Sequence, residues 1–133
     1  MDLYIQSKII ALWSVFLFGM VFHSQLAMMP LLYGESVEMP AYKGKMPLSH
    51  SWLMLGFFSI PMVMIAITVF NDAPLYRMVH LGITAVYSIL NFTHAAMDLM
   101  VKPIEWYQIA LMVLVFVNGI CLNLLAFQWV QAV

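Results

Sequence analysis

The sequence predicts an all-α integral membrane protein: four transmembrane helices in an antiparallel bundle, with one longer loop between helices 1 and 2. Three observations carry this. Apolar residues make up 65% of the 133-residue chain and charged residues 8%, against about 45–50% and about 25% in soluble domains. The charged residues are clustered, at Asp2, Lys8, Glu35, Glu38, Lys43, Lys45, Asp72, Arg77, Asp98, Lys102 and Glu105. Between the clusters run four charge-free stretches, Ile9–Gly34, Met46–Asn71, Met78–Met97 and Trp106–Val133. Each reaches the roughly 20 residues needed to cross a hydrocarbon core about 30 Å thick. None alternates polar and apolar residues as a barrel strand does, so the spans are helices.

The elements follow in order. The chain reads as a single membrane domain over 1–133, with helices at about 9–31, 49–70, 76–98 and 105–130. Pro30 and Gly34 close the first helix. Its start, with one Lys and one Asp, lacks the basic region of a signal peptide. The segment 33–49 carries Gly34, Pro40, Gly44 and Pro47 and is the one sizeable loop. Pro61 lies inside the second span, which membrane helices tolerate. Asp72-Ala73-Pro74 and Lys102-Pro103 make the short turns that favour antiparallel neighbours. Both termini then share one side. Lys43, Lys45 and Lys102 outnumber Lys8 and Arg77, which favours non-cytoplasmic termini. Trp52, Tyr76, Trp106, Tyr107 and Trp129 fall near helix ends, as an interfacial aromatic belt would.

The third span has a polar stripe. At about 100° per residue, His80, Thr84, Tyr87, Asn91, His94 and Asp98 fall within about 80° of arc. Thr84, Tyr87 and Asn91 suit hydrogen-bonded packing between helices. Histidine and aspartate are costly in lipid, so this face turns inward and is a functional candidate.

Depth sorts the histidines. The first helix brings His23 to the half nearest the long loop. His94 lies about 21 Å beyond His80 along the third helix, on that same side, with His50 at the interface. His23 and His94 are therefore candidate ligands at matched depth on two helices. Met97 and Asp98 share the face of His94. Gly19 and Ala27 are small neighbours of His23, leaving a gap that a flat macrocycle could enter. Tyr42, Lys43 and Lys45 could pair with haem propionates. The spacing of His80 and His94 also resembles that of ligand pairs in membrane b-type cytochromes, although no second helix here bears a matching pair. The resemblance implies His80 as a further haem ligand, with Met62, Met64, Asn123 or nothing opposite it.

Two imidazoles across a bundle suit a haem b engaged in electron transfer. Imidazole with thioether suits copper, and Met20 and Met97 each share a face with a histidine. The expectation is thus a small electron-transfer protein or redox-complex subunit. One alternative is a cofactor-free accessory subunit docked to other membrane subunits, and a second is a copper-handling protein. No phosphate loop, hydrolase triad or metalloprotease motif is present, so an independent enzyme is not expected. The weak charge excludes nucleic acid as a partner, and Cys121 alone makes no disulfide framework.

Overall fold

The structure, a computed structural model, describes residues 2–38 and 44–132. Four long helices carry the chain: α1 Asp2–Met28, α2 Leu48–Phe70, α3 Pro74–Asp98 and α4 Trp106–Gln131. No strand occurs among the described residues. Three segments are long and apolar enough to cross a membrane: Tyr4–Tyr33, Leu48–Phe70 and Trp106–Gln131. That is the pattern of a multi-pass membrane protein. Helix α3 falls outside this set because its stripe lowers its mean hydropathy.

The helix ends obey local chemistry. Helix α1 starts seven residues before the expected Ile9. Charge marks the edge of the apolar stretch, not the edge of the helix: the Lys8 ammonium lies 4.0 Å from the centre of the Tyr4 ring, one turn earlier. A 3₁₀ turn, Met29–Tyr33, continues α1, with Pro30 in its first turn where a missing N–H costs nothing. Gly34 stops it at φ 77°, a left-handed conformation in which a side chain would be strained. Pro74 opens α3 in the same way. Just before it, the Ala73 N–H donates to Oδ1 of Asn71 at 2.9 Å. Tyr42 and Lys43 lie outside the described residues, and Lys45 is exposed.

Packing follows a repeat of about 3.5 residues. In α4 the buried positions are Gln108, Met112, Val115, Gly119, Leu122, Ala126 and Trp129. In α3 they include Arg77, His80, Thr84, Tyr87 and Asn91, and in α1 Ile9, Trp13, Phe16 and Met20. Helix α4 packs most extensively, against both α1 and α3, and α2 packs against α1. Contacts fix which ends meet. Asn118 Nδ2 donates to the Leu12 carbonyl at 3.0 Å, and Asn123 Nδ2 to Ser88 Oγ at 2.8 Å. Gln6 Nε2 donates to the Thr68 carbonyl at 3.2 Å.

Pro61 explains one member of the stripe. Proline has no N–H, so the carbonyl four residues earlier, that of Phe57, loses its helical donor. The Tyr87 hydroxyl of α3 supplies a replacement, donating to Phe57 O at 2.7 Å. In a medium without water this substitution matters. Tyr87 also stacks among Trp13, Phe16 and Phe57, with ring centroids 5.2–5.5 Å away.

Trp129 and Tyr76, expected in an outward aromatic belt, turn inward. Trp129 is fully buried and meets His80 edge-on at 5.5 Å. The Tyr76 hydroxyl donates to the Met64 carbonyl at 2.9 Å. Trp52 and Trp106 remain exposed, as a belt requires.

Candidate metal centre

The heptad seams of α1 and α3 continue past the apolar core to His23, His94 and Asp98. His23 follows buried Met20 by three residues, and His94 follows buried Asn91 by three. Asp98 stands one further turn along α3. The two imidazoles meet edge-on at 78°, with Nε2 facing Nε2 at 3.2 Å. Asp98 Oδ2 lies 3.5 Å from Nε2 of His23 and 3.6 Å from Nε2 of His94. The ligand atoms of these three residues thus converge on one point. Side-chain exposure rises from 12% at His23 to 24% at Asp98 and 45% at His94, so the cluster is buried on the α1 side and open on the α3 side.

Its electrostatics are unfinished. Asp98 Oδ2 is buried yet accepts no hydrogen bond, although two imidazole nitrogens stand near it. A carboxylate oxygen out of water needs a donor or a cation. Gln108 of α4 stands beside His23. The Nδ1 of His23 and the Oε1 of Gln108 are both buried and unpaired.

The edges of the triangle can be compared with metal geometry. Bonds of about 2.0–2.1 Å at the tetrahedral angle place neighbouring ligand atoms about 3.3–3.4 Å apart. The observed 3.2, 3.5 and 3.6 Å bracket that value. The three donor atoms lie close enough together for one small ion to reach all of them.

The other expected site residues lie elsewhere. His80 is fully buried at the far end of the stripe, and its Nε2 accepts the Trp13 indole N–H at 2.9 Å. That lone pair is engaged by Trp13, and His80 Nδ1 is buried without a hydrogen-bond partner. Gly19 faces α4: a methyl group there would come to 2.6 Å from Cγ2 of Val115. The gap left by the missing side chain is closed by valine, and the outer groove that Gly19 borders does not include His23. Met97 is 60% exposed, and His50 is exposed at the start of α2. Thr84 is buried and bonds within its own helix, to Leu81 O at 2.9 Å. Asn91 is buried beside Gly119.

Sequence reasoning missed Gln108, Trp13 and Ser88. Gln108 had a usable signal, since it is the first polar residue of α4 and shares the spacing of Met112 and Val115. Trp13 had none, because an apolar helix gives no sign of which aromatic residue points at a histidine.

Fold and site together define an all-helical chain with membrane-length helices and a His/His/Asp group where α1 and α3 leave their apolar core. No protein-family model matches the chain, and no curated protein or solved structure matches it either.

Proposed function

We propose that this chain is a four-span antiparallel membrane bundle that binds one divalent transition-metal ion through His23, His94 and Asp98 near one membrane face. The observation that supports this best is the triangle of donor atoms, 3.2, 3.5 and 3.6 Å on its edges, with a buried carboxylate oxygen that has no donor. Helix α3 is read as the fourth span. Arg77 and Asp98 near its ends are separated by about 31 Å at 1.5 Å per residue, close to the hydrocarbon thickness. Its polar face is covered by its neighbours.

The donor set selects the ion class. Two imidazoles and a carboxylate suit Zn²⁺ and comparable first-row divalent ions, whereas Cu(I) prefers thioether and thiolate. Three protein ligands leave a fourth position open, as in zinc sites that exchange or activate a ligand. The half-exposed His94 gives that position access to the aqueous phase, which suits an exchangeable ion. The ion, when bound, would supply positive charge and Lewis acidity at the open position. The chain's residues orient it and shield its inner side.

The test is metal analysis of the detergent-purified protein. About one ion per chain is expected after Zn²⁺ or Co²⁺ loading and dialysis. His23→Ala, His94→Ala and Asp98→Asn should each weaken binding by more than the 10–100-fold typical of losing an outer partner of a ligand. Absence of binding, or binding indifferent to all three substitutions, would sink the proposal. Sharp visible bands on reduction would replace it with the haem reading. A colourless, metal-free protein would leave the accessory-subunit reading.

A further inference from the structure

We infer that Gln108 is a positioning residue for the metal centre: it accepts the Nδ1–H of His23 and thereby presents His23 Nε2, unprotonated, to the ion. This rests on the metal reading and names the group that would set its affinity. Gln108 belongs to α4, which contributes no ligand, and is only 6% exposed. Its side chain adjoins His23. The two side chains carry complementary unmet needs, a buried Nδ1 and a buried Oε1. A neutral imidazole donates from one nitrogen and accepts at the other. Binding an ion through Nε2 of His23 requires a lone pair there, so the ring N–H then sits at Nδ1. Gln108 Oε1 is a buried acceptor without a partner on a side chain that adjoins the ring. Metal-bound histidines almost always donate their second N–H to such a group, which fixes the tautomer.

The same assignment settles the proton on the other ring. With His23 Nε2 an acceptor, the 3.2 Å contact is a donation from the Nε2–H of His94. A bound ion would need the Nε2 lone pair of His94 as well; that ring, 45% exposed, would give up its Nε2 proton and carry one at Nδ1 instead. Charge and protons balance without a further base. His23, with less contact with water, is preset and His94 adapts.

Co²⁺ titration of the whole detergent-solubilised protein, followed by its visible d–d absorption, tests this. Gln108→Leu should weaken Co²⁺ binding by about 10–100-fold and alter the band shape. Gln108→Glu, which keeps an acceptor, should bind at or above wild-type affinity. If wild type binds and Gln108→Leu binds equally well with the same spectrum, the role of Gln108 is overturned while the metal site stands. If wild type binds no Co²⁺, the metal reading itself fails. Histidine ¹⁵N resonances of the metal-free wild type give a variant-independent check. The signals lost in His23→Ala should report an Nδ1–H tautomer, and an Nε2–H tautomer would overturn the inference even if Gln108→Leu fails to fold.

Discussion

At the scale of single residues, hydrogen bonds from two buried side chains, Trp13 and Tyr87, reach groups on a different helix. Tyr87 and Pro61 are the clearest pair. The hydroxyl contact of 2.7 Å exists because Pro61 withholds the donor that Phe57 O would otherwise have. The two residues should therefore be energetically coupled. Tyr87→Phe should destabilise the protein by about 0.6–1.7 kcal/mol, the range measured for hydrogen bonds between membrane helices. In a Pro61→Ala background the backbone N–H returns and the same substitution should cost close to nothing. A double-mutant cycle on unfolding in mixed micelles measures this. Equal costs in both backgrounds would show that Tyr87 contributes through ring packing alone. Trp13 and His80 follow the same logic: an indole N–H and an imidazole nitrogen, both excluded from water, satisfy each other at 2.9 Å.

At the scale of elements, Arg77 ties the start of α3 to the end of α4. Its guanidinium donates to Trp129 O at 2.9 Å and Ala132 O at 3.3 Å, and Nε donates to Asp72 O at 2.7 Å. The last carbonyls of a helix lack intrahelical donors and carry partial negative charge, so a cation there is doubly favourable. Arg77→Ala should cost about 1.5–3 kcal/mol, the range for hydrogen bonds to charged groups. It should also speed amide exchange at the α4 C-terminus. Arg77→Lys should recover little, because one lysine nitrogen cannot serve both the Asp72 carbonyl, bonded by Nε, and the α4 carbonyls, bonded by a terminal guanidinium nitrogen. Wild-type exchange rates in the alanine variant would refute the capping role. The elements themselves were largely legible in the sequence, since long apolar stretches punctuated by charge, Pro and Gly have few alternatives. The buried seam was legible only in α3, where it is polar against an apolar background. Helices α1 and α4 are apolar nearly all round, so their repeat of about 3.5 residues is hidden among equivalent residues. That is why Trp13 carries no signal in the sequence, whereas Gln108, polar at the start of α4, stands out from its neighbours.

At the scale of the whole molecule, the burial pattern of α3 bears on whether that helix crosses the membrane. The three apolar helices alone would put the two termini on opposite sides, with α3 lying along the surface. A surface helix would leave its polar face in water. Instead that face is the most buried part of the helix: His80, Thr84 and Asn91 are each at most 1% exposed. Its outward residues include Val79, Val86, Ile89 and Phe92, each at least 50% exposed, and lipid is the natural solvent for them. A helix that hides its polar stripe against neighbours can cross the bilayer with lower mean hydropathy than its partners, because the insertion cost of polar groups is offset within the bundle. Labelling should show this. In a Cys121→Ala background, Glu38→Cys and Lys102→Cys should react with a membrane-impermeant maleimide from one side of sealed vesicles, and Asp72→Cys from the other. Reaction of Asp72→Cys and Lys102→Cys from the same side would mean that α3 does not span. The His23–His94–Asp98 cluster would then lack the membrane depth on which an ion exchanging with a single face depends.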